Sequence, residues 1–300
     1  MVKVSILIPT LNRQGDLLNT VKDIYSQSCK EFEIIIIDQS DKKQEKLLEQ
    51  FDDGRLIYIS SNEKSASQAR NVGIKKSKGE ILLFIDDDVI INDPHFLSKH
   101  IRHYQDPELP GVIGCPLEQS LAQTPRYNRH WFSRWREQVG WLYFPSNYGC
   151  HTFVASGRSN NLSVRREYAI AVGGMDENYE KGAHREEADF CLRIYRRFGN
   201  FLFDPQARLI HIGNQKGGIR AWNDNDYVKA KHHMVGAIYF VLQTAPKKYW
   251  WVFIPDMFRY FLLNKTILKR PRLWSLAFGR FLSAFQEAIQ KQRKGAIYLQ

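Results

Sequence analysis

The sequence predicts an α/β fold with a mainly parallel central sheet, and three observations carry that expectation. Short, unbroken apolar runs recur at residues 4–8, 34–37, 56–59 and 81–85. The segments between them place apolar side chains at helical spacing, as with Leu17, Leu18, Val21, Ile24 and Tyr25. Polar residues with chemical potential, among them Asn12, Asp38, Ser40 and the triplet Asp86, Asp87 and Asp88, sit just past the ends of the apolar runs.

An unbroken apolar strand suits a sheet covered on both faces, which is the usual setting of parallel strands joined by helical crossovers. The first run, ended by Pro9, is followed by the helix through Leu17–Tyr25 positions. The second run leads to a polar helix over 41–50, carrying Leu47 and Leu48. The third run precedes a helix over 65–76, and the fourth runs straight into the three aspartates, with another helix starting near Pro94. In such sheets ligands bind beyond the carboxyl ends of the strands. Residues 116–160, rich in turn formers and aromatics that include Trp131, Trp135 and Trp141, read as a long loop or lid. Helical period returns over 161–198, and the polar stretch 213–225 leads into a basic tail.

The composition is globular, with 43% hydrophobic and 25% charged residues, which excludes a disordered chain. The net charge of +11 is unevenly spread: residues 226–300 hold 13 basic and 3 acidic side chains, whereas residues 1–225 hold 30 and 29. A basic tail on a neutral body points to an anionic surface as partner. Tyr249, Trp250, Trp251, Phe253 and Phe258, then Trp274, Phe278, Phe281, Phe285 and Ile289, suit amphipathic helices lying in a bilayer interface. No recognition motif accompanies the basic residues, so no nucleic-acid partner is expected. No stretch of 18 consecutive apolar residues occurs, and the first residues enter a strand without a leader pattern. Four scattered cysteines without metal spacing read as reduced thiols. The expected setting is cytoplasmic, peripheral on the inner face of the cell membrane.

Three consecutive carboxylates after a buried strand repel one another unless a cation offsets them. On an extended chain Asp86 and Asp88 point to the same side, so both can face one ion, and oxygen ligands suit Mn²⁺ or Mg²⁺. A solvated acidic turn is the competing reading of these three residues alone.

Four ordered blocks decide between the two: SILIPTLNR at 5–13, IIIIDQS at 34–40, SQARNVGIKKSKGEILLFIDDDV at 67–89 and VGGMDENYEKGAHREEADFCLR at 172–193. Together they resemble the family 2 glycosyltransferases of bacterial cell-surface polysaccharide synthesis, enzymes of GT-A fold. The resemblance implies a metal-dependent transfer from a nucleotide-diphosphate sugar to an acceptor hydroxyl, with inversion, the acceptor being a glycan or lipid-linked glycan. It implies that Pro9, Thr10 and Asn12 hold the nucleotide and that Asp38 accepts a hydrogen bond from its base. Arg70 and Asn71 would line the donor diphosphate, and Asp86 and Asp87 would also contact the donor. Asp88 and Asp86 would bind the metal, and His211, within LIHIG, would complete its ligands. Glu186 and Glu187 match an acidic pair, with Glu187 the general base and Glu186 second. Helical spacing puts Glu186 and Asp189 on one face and Glu187 on another. The expected organisation is a GT-A domain over 1–222 and a basic, helical, membrane-associating extension over 223–300. A sugar nucleotidyltransferase is the first rival, but IPTLNRQG is not its Gly-rich phosphate loop. A binding protein without turnover is the second, and it would have no need of a base.

Overall fold

The computed structural model describes residues 2–43, 45–51, 53–118, 139, 148–181, 184–214, 217–218 and 230–299. Most of the expected lid and the 222/223 boundary lie outside these residues.

Nine strands form one sheet: β1 (Val4–Thr10), β2 (Phe32–Asp38), β3 (Leu56–Ser60), β4 (Ile81–Ile85), β5 (Val89–Ile90), β6 (Gly111–Glu118), β7 (Thr152–Val154), β8 (Asn161–Arg165) and β9 (Phe201–His211). The order is β3-β2-β1-β4-β8-β6-β9-β5, with β7 also on β9. From β3 to β4 all neighbours are parallel. β8 then enters antiparallel between β4 and β6, and β6 runs parallel to β9.

The parallel half follows directly from its residues. In β1, Ile6 and Ile8 face one layer and Leu7 the other, which is the period of two of a pleated strand. Helix α1 (Gln14–Tyr25) covers the first face with Leu17, Val21 and Ile24. Helices α2 (Glu45–Leu48) and, farther on, α3 (Ala66–Lys76) follow the second and third strands, and α4 (Phe96–Ile101) follows β5. Ala69 and Ile74 of α3 pack on the second face with Phe190, Cys191 and Ile194. The α3 N-cap is Ser65, whose hydroxyl accepts from Gln68 N.

The structure corrects two expectations. Residues 161–165 form the buried strand β8, not the start of a helical stretch; helix α5 (Arg166–Ala171) begins only after it, and α6 spans Glu186–Phe198. The polar side chains of β8 are satisfied inside: Asn161 Nδ2 donates to Ala207 O, and Ser163 Oγ accepts from Tyr104. The expected loop over 116–160 also contributes strand at both ends, in β6 and β7.

The C-terminal helices α7 (Lys231–Thr244), α8 (Trp250–Leu262), α9 (Lys265–Leu268) and α10 (Trp274–Lys294) share a core with Tyr179, Ala188 and Leu192 of the body. Ala277, Ala284 and Ala288 give α10 a small-residue face that lets it lie close against its neighbours. The last residues return to the body: Leu299 N donates to Gly173 O, and Glu177 N to Ile297 O. Among the described residues no helix is long and apolar enough to cross a membrane. The four cysteines are free thiols.

Candidate active site

Parallel register brings the ends of β1, β2 and β4 to one edge, with Thr10 beside Asp38. The chain leaving β1 turns sharply at Asn12, whose φ of 55° is left-handed. Asn12 N donates to Ser40 Oγ, and its side chain exchanges hydrogen bonds with Asp41. This ties the ends of β1 and β2 together, a reason for Asn at a position of positive φ. Pro9 lies within β1 opposite Ile37. Asp38 is fully buried; its Oδ1 accepts from Ser40 N at 2.8 Å and its Oδ2 accepts from the Tyr58 hydroxyl.

After β4 the three aspartates diverge. Asp87 turns inward, accepting from Thr10 Oγ1 at 2.7 Å and Arg13 Nη1 at 3.0 Å. Asp88 shares Arg13 with Asp87 through Oδ2, while its Oδ1 and the Asp86 carboxylate face His211. The histidine is delivered by antiparallel pairing of β5 with β9, in which Val89 opposes His211. Ile212 N donates to the Asp88 carbonyl and Asn214 N to Asp88 Oδ2 at 3.0 Å. His211 Nε2 then lies 3.4 Å from Asp88 Oδ1 and 3.7 Å from Asp86 Oδ2. One ligand atom from each of these three residues falls within 4.8 Å of the others.

Two carboxylates and an imidazole are a donor set for Mn²⁺ or Mg²⁺. Oxygens and nitrogens about 3 Å apart are what one ion with bonds of about 2.1 Å brings together. The spacing from His211 to Asp88 is long for a strong hydrogen bond. The residues therefore fit a divalent cation.

Arg13 is a participant that sequence reasoning missed. Its Nη1 lies 3.0 Å from both Asp87 Oδ1 and Asp88 Oδ2, and its Nη2 donates to Asn214 O. Burial alone would lower the Arg13 pKa, but Asp87 and Asp88 outweigh it and raise it. Burial pushes the Asp87 carboxyl up to about 7 against the pull of Arg13 and Thr10. Burial works the same way on Asp88, yet His211, Arg13 and the Asn214 N–H hold it below the ordinary range. A signal was present in the sequence: Arg13 follows a strand end at the same sheet edge as three acids.

Arg70, on α3, is 5% exposed and reaches across the cleft. Its Nη2 is 3.7 Å from Asp86 Oδ1 and its Nη1 3.6 Å from Glu186 Oε1. Its Nε and Nη1 have no hydrogen-bond partner among the described residues. Glu187 is buried, with Oε1 accepting from Ser159 Oγ at 3.3 Å. Just before this acidic pair, Arg185 holds a left-handed φ of 90° as N-cap of α6, a conformation that costs a non-glycine residue about 1–2 kcal/mol. Asp189, on the same helix, accepts from Thr244 Oγ1 and from Arg193.

Asn71 and Asp87, both expected to contact the donor, also make hydrogen bonds within the protein. Asn71 Nδ2 donates to Met175 O and Glu177 Oε1, and its Oδ1 accepts from Met175 N. Both side chains are engaged in holding the protein together. The tryptophans at 131, 135 and 141 lie outside the described residues.

The pattern of glycosyl transferase family 2 matches residues 5–165. The chain belongs to this family. Its sequence is 29% identical over 240 residues to the O-antigen biosynthesis protein RfbC of Myxococcus xanthus, covering 75% of this chain and 18% of that protein. It is 35% identical over 143 residues to WfaP of Escherichia coli, a UDP-Glc:α-D-GlcNAc-diphosphoundecaprenol β-1,3-glucosyltransferase, covering 42% and 57%. The matched region thus spans less than two thirds of either relative. The mannosyltransferase PcManGT of Pyrobaculum calidifontis, solved with GDP-Man and Mn²⁺, superposes with a TM-score of 0.55 at 13% identity over 98% of this chain and 79% of that one. That likeness is one of fold, and the fold is GT-A.

Proposed function

We propose that this glycosyltransferase family member moves a sugar from a nucleoside-diphosphate donor onto an acceptor hydroxyl, with inversion, in cell-surface glycan synthesis. The observation that carries the reading is Arg70, a buried guanidinium set between Asp86 of the metal-ligand cluster and Glu186 of the acidic pair. A buried cation with unused N–H groups suits an anionic ligand, and a diphosphate supplies oxygens for its planar fork.

In this reading Asp38 accepts from the nucleotide base, and Pro9, Thr10 and Asn12 shape the edge on which the nucleoside rests. Asp86, Asp88 and His211 hold Mn²⁺ or Mg²⁺. Bound there, the ion offsets the charge that builds on the departing nucleoside diphosphate. Arg70 binds the same diphosphate from the α3 side. Arg13 keeps Asp88 ionised and fixed, and Asp87 anchors Arg13. Glu187, held by Ser159, takes the proton from the acceptor hydroxyl as that oxygen attacks the anomeric carbon. Glu186 sits against Arg70 and orients it.

A lipid-linked acceptor at the inner face of the cell membrane fits the C-terminal helices. Trp251 is 74% exposed and Leu268 60%, and Ile254, Leu263, Trp274 and Leu276 are exposed with them. Lys247, Lys248, Lys265, Lys269, Arg270 and Arg272 are exposed in the same stretch. Apolar side chains interspersed with cations suit an anionic bilayer surface, where each Lys or Arg contributes about 1 kcal/mol. The diphosphoundecaprenol acceptor of WfaP supports the same reading.

Incubation with UDP- and GDP-sugars, Mn²⁺ and a diphospholipid-linked acceptor tests the reaction. Nucleoside diphosphate release that needs Glu187 is the expected result. Pyrophosphate release would identify a nucleotidyltransferase, and no turnover a binding protein. Flotation with anionic vesicles tests the surface: Trp251→Glu should leave the protein at the bottom of the gradient. A wild-type protein that stays at the bottom removes the membrane from the account.

A further inference from the structure

We propose a second metal site, one that takes Zn²⁺, formed by His103, His151 and Asp204 on the opposite end of β9 from His211. One ligand atom from each residue falls within 4.8 Å of the others. Asp204 precedes His211 by seven residues on the same strand, and the two clusters share no residue, so they are separate.

The three residues come from three elements. His103 lies in the 3₁₀ turn Arg102–Gln105 that follows α4, His151 just before β7, and Asp204 within β9. Asp204 is fully buried. Its Oδ2 lies 2.8 Å from His103 Nε2, and its Oδ1 lies 3.1 Å from His151 Nε2. Each oxygen is also held from behind: Arg102 Nη2 donates to Oδ2 at 2.9 Å, and Gln206 N to Oδ1 at 2.7 Å. Such outer contacts are how a ligating carboxylate is oriented.

A metal-free cluster, with each imidazole hydrogen-bonded to the carboxylate, is the plain alternative. What favours a metal is the convergence: three potential ligand atoms from three elements meet around one buried carboxylate, both of whose oxygens are held from behind.

Two nitrogens and one carboxylate oxygen are a three-ligand set that tetrahedral Zn²⁺ accepts, with water in the fourth position. The His151 side chain is 45% exposed, so water reaches that position. Nothing in the proposed transfer uses these residues. Their effect is structural: the ion joins the short edge strand β7 to the turn after α4 and to β9, fixing the chain where it re-enters the sheet.

The test uses tag-free, full-length protein, stripped with chelator and titrated with Zn²⁺ by calorimetry and elemental analysis. Wild type and His211→Ala should each retain a tight Zn²⁺ equivalent that also raises Tm. His151→Ala should lose it, with affinity down at least about ten-fold, a loss expected when a site's coordination is disturbed. Co²⁺-loaded His211→Ala should show the intense visible bands of a four-coordinate ion, absent in His151→Ala. Because His151 is half in solvent, its replacement leaves the fold intact, which circular dichroism checks. The proposal is overturned if His211→Ala binds no Zn²⁺ after stripping, or if adding His151→Ala to His211→Ala leaves the Zn²⁺ affinity unchanged. Either result would leave the transfer reaction untouched.

Discussion

The Arg70 guanidinium stands 3.6 Å from the Glu186 carboxylate, joining helix α3 to the start of α6 across the cleft. Its other amino group lies 3.7 Å from Asp86, so one side chain spans the gap between the expected metal ligands and the acidic pair. Both are ion pairs too wide for a hydrogen bond, and an anion bound beside them would draw the guanidinium to itself.

Replacing Arg70 by Lys should therefore cost more than a change between two cations suggests. Lysine keeps the charge but loses the fork that engages two oxygens at once. We expect kcat/KM for the donor to fall roughly ten- to a hundredfold, equivalent to about 1.4–2.8 kcal/mol. Steady-state kinetics with varied donor concentration checks this; an unchanged constant removes Arg70 from the donor site.

Glu187→Gln should abolish transfer while sparing donor binding. The amide retains size and the Ser159 contact but has no basic oxygen. A loss of about 10²–10⁴ in kcat is expected from removing a general base. Calorimetry should report the same donor Kd in both proteins. Full activity of the variant would shift the base to another group.

Metal removal should reproduce the effect of Asp88→Asn. Chelation of wild type should stop transfer, and added Mn²⁺ should restore it. Asp88→Asn should not recover at the Mn²⁺ concentration that restores wild type, because Asp88 faces His211 and is held ionised by Arg13. Activity that survives exhaustive chelation rules out the cation at this cluster.

The division between what was readable in the sequence and what was not follows a physical line. β1, β2 and β4 are largely apolar runs buried on both faces, with the edge strand β3 only half-buried, and β4 matches its apolar run at 81–85 from end to end. β8 was not readable because Asn161 and Ser163 look polar, and only partners at Ala207, Tyr104 and His100 make them tolerable inside. Asp86, Asp88 and His211 stood out as residue types, but their meeting depends on β5 pairing with β9. Arg13 escaped notice for the same reason: its partners lie 74 residues and more away. Asn71 reads as a donor contact, and nothing in the sequence shows that its amide is also committed to the turn before Glu177.

That commitment gives a stability prediction. Asn71→Ala would leave the buried N–H and C=O of Met175 without their partners. A loss of about 2–4 kcal/mol is expected, from two unsatisfied backbone groups at about 1–3 kcal/mol each offset by partial relaxation. Gly174→Ala attacks the same turn from the backbone side. Gly174 has φ +65°, and an added Cβ would come within 2.5 Å of Asn71 Oδ1. Urea denaturation should show both variants destabilised, and native stability in Asn71→Ala would mean that water replaces the amide.

His100 makes the fold sensitive to acid. It is 1% exposed, with Nδ1 bonded to Ser163 Oγ and Nε2 to Asn161 Oδ1, both at 2.9 Å. Burial lowers its pKa from 6.5 to about 4, despite the opposing pull of Asn161 and Asp204. A histidine kept neutral in the fold but free to protonate in the unfolded chain favours unfolding as protons are added. Its contribution is therefore complete above pH 6.5, declines as the pH falls, and levels off near pH 4. The total is on the order of 3 kcal/mol, from the separation of the two pKa values. His100→Gln has no such titration, so its stability should change less between pH 6.5 and 4 even though it starts lower. Denaturant melts of both proteins at several pH values across this window measure the difference, and parallel curves would mean that His100 is protonated in the folded state.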